Sequence, residues 1–285
     1  MKSLKCVFFV CAQNMRKWQT DYRVWCIAVF ALVMTCIYVD DMQRICGVLG
    51  TKMPIWIFPF LYSQFHTKLI FTLPIVLLFC NAPFTDRNQT YVFMRSGRIK
   101  WLCGQILYII MASAAYYLFL LFLSLLLTVF TGELSLDWGR TLRTLSFSTS
   151  AVGEADAPYI EIAAIVITFF KPLQAVWFTF LMSWLGGIFL GLVIFFCNLI
   201  TSTKSLGMVI SSSFVIITSA VKNELMRELM PFSPISWTTL DNIDVGGRTI
   251  NPSFQYCISV YAGLLVVLIV SILIFGRNKS LDTRG

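Results

Sequence analysis

Long stretches without charged residues dominate the pattern of hydrophobic and polar positions along the chain. A helix that crosses a membrane needs about 20 mostly apolar residues, and six stretches between charged or turn-forming segments approach that length. The pattern therefore predicts an all-α membrane protein, a six-transmembrane-helix bundle that forms a single transmembrane domain over residues 1–285. The predicted spans are residues 22–39, 69–84, 101–130, 172–203, 205–221 and 257–276.

The composition points to the same class of protein. Hydrophobic residues make up 58% of the chain and charged residues 13%, with a mean hydropathy of +0.78. A typical soluble domain carries about 25% charged residues, so this chain has more apolar surface than a water-soluble core can enclose. We therefore expect membrane lipid to be a partner of the chain.

The distribution of lysine and arginine predicts the orientation. If the N-terminus is cytoplasmic, the inner segments hold 13 of the 22 basic residues and only 3 of the 14 acidic residues. Cytoplasmic segments of membrane proteins carry such an excess of basic residues, so both termini are predicted to be cytoplasmic. The net charge of +8 then reflects topology and contact with anionic lipid, and no nucleic-acid partner is expected.

Residues 1–21 are predicted to form an amphipathic interfacial helix ahead of the first span. Leu4, Phe8, Cys11, Met15 and Trp18 recur at helical spacing, and the intervening basic residues would face lipid phosphates. Two interpretations stay open: a simple anchor, or a docking surface for a partner.

The loop after the second predicted span is the principal candidate site. Thr85 or Asp86 could cap a short helix, and Gly97 could let the chain turn after it. Such a helix would place aromatic and methionine side chains beside arginines at the inner surface. Its candidate residues are Asp86, Arg87, Tyr91, Phe93, Met94, Arg95 and Gly97. The composition alone also fits a basic inner loop with no further role.

The sequence around this loop resembles a known family. The run Leu78-Phe-Cys-Asn-Ala-Pro-Phe84, then Arg95-Ser-Gly-Arg98, then Trp101-x-x-Gly-Gln-Ile-Leu-Tyr108 is similar to the permease (transmembrane) subunits of ABC-2-type ABC transporters of Gram-positive bacteria. The resemblance implies that Asp86 to Gly97 form a cytoplasmic coupling helix, which docks on a separate ABC ATPase subunit. It also implies short extracellular helices before the last span and a bacterial plasma-membrane location.

By the same resemblance, the chain is expected to be the transmembrane subunit of an ATP-driven exporter. It would pair with a second, identical or related permease subunit and move an amphipathic substrate, a peptide or a lipid-like or drug-like molecule, by alternating access. The sequence has no G-x-x-x-x-G-K-[ST] phosphate-binding run, so ATP and magnesium are expected on the ATPase. No catalytic, cofactor-binding or metal-binding residue is predicted, and the chain is not expected to be an enzyme. The predicted span interiors hold no charged residue, which argues against ion-coupled transport.

A second hypothesis is a non-transporting membrane scaffold, sensor or resistance protein that binds a cytoplasmic partner through the same loop.

Three further segments attract attention. Ser183, Gly187 and Gly191 form a small-x-x-x-small row that lets another helix approach closely, either within the chain or across a subunit interface. The apolar segments Pro54–Phe65 and Ile162–Phe170 are too short to span a membrane, so they are predicted to be interfacial or re-entrant.

Overall fold

The computed structural model describes residues 2–84, 96–133, 135–147, 159–201, 203–222, 229–244 and 251–278, and these residues are mainly helical. The α-helices are α1 (Lys2–Arg16), α2 (Tyr22–Leu49), α3 (Phe65–Phe79), α4 (Arg98–Val129), α5 (Gly139–Phe147), α6 (Ala164–Phe169), α7 (Pro172–Thr201), α8 (Lys204–Lys222) and α9 (Phe254–Asn278). Short 3-10 helices lie at Lys17–Gln19, Phe58–Tyr62, Pro234–Thr238 and Leu240–Asn242. Two short strands, β1 (Met53–Pro54) and β2 (Gly132–Glu133), pair in parallel.

Four of these helices, α2, α4, α7 and α9, are long and apolar enough to cross a membrane. The 32 residues of α4 extend about 48 Å, against a hydrocarbon core of about 30 Å. The apolar helix α3 and the apolar part of α8 are shorter. The chain is therefore an all-α protein whose apolar helices are compatible with a multi-pass membrane protein.

Helix α7 occupies the centre of the bundle, where it packs against α3, α4, α8 and α9. In its most apolar stretch 72% of the residues are buried, against 28% in α2 and 11% in α9. The small-residue row lies on this central helix. A Cβ atom at Gly187 would come within 2.7 Å of Ile75, and one at Gly191 within 2.6 Å of Ile109. The row is therefore covered by α3 and α4 of the same chain.

Helix α2 continues past the two aspartates that close the predicted span 22–39. It ends at Leu49, before Gly50 in the left-handed conformation. Asp41 is buried, but its carboxylate accepts hydrogen bonds from the Arg44 guanidinium at 3.0 Å and the Tyr159 backbone N–H at 2.8 Å. Because this carboxylate is satisfied within the protein, the charged pair does not terminate the helix.

Helix α3 is displaced relative to the predicted span 69–84. It starts at Phe65 and stops at Phe79, since the residues ahead of Pro83 leave the helical conformation. Its first turn includes Lys68, which is buried and donates to the Ser236 carbonyl at 3.4 Å. Lys68 and Asp41, which lie just outside the predicted spans 69–84 and 22–39, are therefore buried charged residues of helices α3 and α2.

The segment predicted to be interfacial or re-entrant, Pro54–Phe65, is largely packed inside the protein. Residues 53–63 are all buried, and the 3-10 helix Phe58–Tyr62 packs against α3, α4 and α7. Thr239 donates to the Tyr62 carbonyl at 2.9 Å, which joins this segment to residues 229–244. We call residues 53–63 and 229–244 together the cap. The second short segment, Ile162–Phe170, contains helix α6, on which Val166 is buried.

Candidate functional site

The candidate loop, residues 86–97, joins α3 to α4 at the end of the bundle opposite the cap. We call this end the base. Here α7 ends and α8 begins, and α1 packs against the first turns of α4. Asp86, Arg87, Tyr91, Phe93, Met94 and Arg95 lie outside the described residues. Gly97 is described: it precedes the first residue of α4 with φ +76°, a conformation that glycine adopts at little cost. It therefore forms the turn from the loop into α4.

The entry to this loop is held by two amide side chains. The Asn198 Nδ2 group, near the end of α7, donates to the carbonyl oxygens of Cys80 at 3.2 Å and Ala82 at 2.7 Å. The Gln105 Nε2 group, on α4, donates to the Phe84 carbonyl at 3.4 Å. These bonds fix the chain that leaves α3 to both α7 and α4.

Asn198 also caps the start of the next helix. Its Oδ1 atom accepts the backbone N–H of Gly207 at 3.0 Å. Gly207 lies in the first turn of α8, where backbone N–H groups lack partners within the helix. One buried amide thus connects the end of α3, the end of α7 and the beginning of α8.

Helix α1 and the 3-10 helix Lys17–Gln19 that follows it dock on α4 through close packing and two long-range hydrogen bonds. A Cβ atom at Gly104 would lie 2.6 Å from the Val10 side chain, so the missing side chain permits the approach. The Asn14 amide donates to Gln105 Oε1 at 3.1 Å, and the Trp18 indole donates to the Tyr108 hydroxyl at 2.8 Å. Helix α1 is therefore joined through Gln105 to the same loop entry.

The apolar stripe predicted on residues 1–21 is partly buried against the bundle and partly exposed. Cys11 is buried against the bundle, and burial raises the pKa of its thiol. Leu4 and Phe8 remain 65% and 59% exposed. The exposed arc of α1 also carries Lys5 and Arg16, a combination that suits a lipid interface.

Positive charge is concentrated where α4 begins. The first turn contains Arg98 and Lys100 and no acidic residue, although the positive end of the helix dipole favours anions there. The Arg98 Nε and Nη2 atoms are buried and have no hydrogen-bond partner among the described residues. Lys17, Asp21 and Arg23 line a cavity of about 40 Å³ together with Phe84, the last described residue before the loop. The base therefore presents basic groups beside the candidate loop.

The three amides that organise the base were not predicted from the sequence, although it contains a signal for them. Gln105 is the single amide residue within the uncharged stretch 101–130, Asn198 is one of two in the stretch 172–203, and Asn14 lies on the packed face of α1. A buried amide requires hydrogen-bond partners, so each of them marks a contact with another segment. The partners themselves lie up to 118 residues away, and the pattern does not identify them.

The described residues contain no group of three or more histidine, cysteine, aspartate or glutamate side chains placed to hold a metal ion. All nine cysteines are free.

No protein-family model matches this chain, and comparison with curated proteins finds no match. The resemblance to ABC-2-type permeases therefore rests on the sequence motifs that flank the loop.

Proposed function

We propose that this chain is the transmembrane subunit of an ATP-driven exporter of the ABC-2 type, located in a bacterial plasma membrane with both termini in the cytoplasm. In this proposal α3 and α8 complete a bundle of six spans. Helix α3 is only about 22 Å long, shorter than the hydrocarbon core of about 30 Å. The buried cap segment 53–63, which precedes α3, would occupy the part of the membrane that α3 is too short to cross.

The observation that carries the proposal is the attachment of the loop entry to four helices. A separate ATPase subunit, which binds ATP and magnesium, would dock on residues 86–97 and displace them. Asn198 would pass that displacement to α7 and α8, while Gln105 would pass it to α4 and α1. Because packed helices move as rigid bodies, a small movement at the loop would reorient the bundle between inward-open and outward-open forms.

The exposed apolar faces support a partner within the membrane. Only 11% of the apolar stretch of α9 and 28% of that of α2 are buried within the chain, so both helices have surface available for lipid and for a second permease subunit, identical or related. In this proposal an amphipathic cargo, a peptide or a lipid-like or drug-like molecule, passes between the two subunits.

Copurification from native membranes tests the coupling role of the loop. The tagged wild-type chain is compared with a double variant, Arg87→Glu with Arg95→Glu, which reverses two loop charges. The matched control is Arg140→Glu with Arg143→Glu, which reverses two exposed charges on α5, away from the base. We expect an ATPase subunit with the wild type and the control, and about tenfold less or none with the loop variant, because charge reversal opposes an electrostatically complementary surface.

Two outcomes would contradict this proposal. If no ATPase accompanies the wild-type chain, the scaffold or sensor hypothesis gains support, and the cytoplasmic protein recovered in its place identifies the partner. If the loop variant retains the ATPase as well as the control does, these two arginines do not mediate docking.

A further inference from the structure

Three buried hydroxyl groups at the contact between the cap and α7 have no hydrogen-bond partner among the described residues. They belong to Tyr62 in the cap and to Thr179 and Ser183 on α7, and all three side chains are fully buried. Buried polar groups in native proteins are usually paired, because removing a hydroxyl from water without a new partner is costly. Three such groups in one region therefore call for an explanation.

Tyr62 and Ser183 meet where the cap contacts α7, and Thr179 lies one helical turn from Ser183. Thr179 and Ser183 are four residues apart and share a face of α7, and the next position on that face, Gly187, packs against the Tyr117 ring. The Tyr62 ring lies 6.3 Å from the Tyr117 ring. The Ser183 hydroxyl lies within reach of the Tyr62 hydroxyl and interacts with it, but the two groups are not aligned for a hydrogen bond. We call this contact the seam.

Two other buried tyrosines, unlike Tyr62, have hydrogen-bond partners. The Tyr116 hydroxyl donates to the Phe71 carbonyl at 2.9 Å, and the Tyr261 hydroxyl donates to the Pro234 carbonyl at 2.6 Å. Both tyrosines are buried, as Tyr62 is. The fold therefore provides acceptors for these two tyrosines, whereas the part of the chain that the structure describes provides no aligned acceptor for Tyr62.

We propose that the seam opens during the transport cycle and that Tyr62, Thr179 and Ser183 then bind an uncharged hydrogen-bonding group, a hydroxyl or amide of the cargo, or water when cargo is absent. This inference rests on the proposed export function for the opening itself. The chemistry of the ligand follows from the site, since the three hydroxyls both donate and accept and carry no charge. The aromatic rings beside them suit a flat or apolar neighbouring group on the same ligand.

Paired tyrosine substitutions test whether the hydroxyls are unpaired in the closed form. Tyr62→Phe and Tyr116→Phe are compared with the wild type by thermal unfolding of the full chain in detergent. We expect Tyr116→Phe to lower the Tm by about 2–4 °C, because it removes a formed hydrogen bond. Tyr62→Phe should leave the Tm unchanged or raise it. A Tyr62→Phe variant destabilised as much as Tyr116→Phe would show that the Tyr62 hydroxyl is already paired, which would overturn the inference.

Chemical labelling tests whether the seam opens. Ser183→Cys is compared with Ser211→Cys, since both serines are fully buried and the Ser211 hydroxyl is paired with the Leu190 carbonyl at 3.3 Å. Native membranes are treated with methyl methanethiosulfonate, a small neutral thiol reagent, with and without MgATP, and modified peptides are quantified by mass spectrometry. We expect position 183 to react at least about tenfold faster than position 211, with MgATP increasing the difference.

Equal protection of both positions in every condition would overturn the inference, as would equal labelling. Neither result bears on the exporter hypothesis, which is tested separately by recovery of the ATPase. The comparison of Tyr62→Phe with Tyr116→Phe needs no ATPase. It therefore still tests whether the seam hydroxyls are unpaired if no ATPase is recovered.

Discussion

Substitution of Asn198 by alanine should destabilise the base of the bundle more than any exposed change on the same helix. The side chain is 4% exposed and makes three hydrogen bonds, to Cys80, Ala82 and Gly207. Each bond contributes about 1 kcal/mol net, and the Gly207 contact acts as a helix cap of similar value. The loss is therefore about 3 kcal/mol, or a fall in Tm of about 6–12 °C for a chain of this size.

Thermal unfolding in detergent, followed by intrinsic fluorescence, measures this loss. Thr201→Val is the matched control: Thr201 lies three residues further along α7, is exposed, and bonds only within its own segment. Its substitution should change the stability by less than about 0.5 kcal/mol. Asn198→Asp adds a second comparison, because it keeps an acceptor for Gly207 but places a carboxylate against two carbonyl oxygens. It should be at least as unstable as the alanine variant.

A fall in Tm below about 2 °C for Asn198→Ala would refute the reasoning, since it would mean that the three bonds contribute little to the folded state. Tolerance of Asn198→Asp, which has nearly the same shape, would show that the residue acts by filling space rather than by donating to the loop entry.

Two further predictions concern the docking of α1. Gly104→Leu should destabilise the chain by about 1–3 kcal/mol, because its side chain would collide with Val10. The control Gly263→Leu on α9, where no atom lies within 4 Å of the added Cβ, should leave the stability unchanged. Equal Tm values for the two variants would contradict the docking of α1. Cys11 should react with iodoacetamide at neutral pH more slowly than Cys6 on the same helix, since Cys11 is buried and its raised pKa reduces the reactive thiolate. The rate at Cys11 should rise towards higher pH, as the thiol ionises. Both rates are measured by mass spectrometry, and equal rates for Cys11 and Cys6 near neutrality would indicate that α1 is detached from α4.

The uncharged stretches predicted the long helices well. The stretch 101–130 corresponds to α4, Arg98–Val129, and the stretch 172–203 to α7, Pro172–Thr201. Hydropathy succeeds here because a long apolar segment must satisfy its backbone hydrogen bonds internally, and the helix does so within one segment. At Asp40-Asp41 the predicted end of a span falls inside a continuous helix, which runs on to Leu49.

The site could be predicted only in part. The turn predicted at Gly97 agrees with the positive φ of this residue. The other candidate residues of the loop lie outside the described residues. The attachment of the loop entry by Asn198 and Gln105 was not predicted, because a hydrogen bond between residues some 20 to 120 positions apart depends on which helices become neighbours.

The sequence by itself determined that the chain is helical and strongly apolar, since these properties follow from the transfer preference of each residue. Only the tertiary structure decided which apolar surfaces meet protein and which stay exposed. It buried the cap segment and the central helix α7, left most of α9 uncovered, and enclosed Lys68 and Asp41 with partners. The physical reason is that hydropathy measures the cost of leaving water, and that cost is nearly the same whether the residue then contacts lipid or another helix.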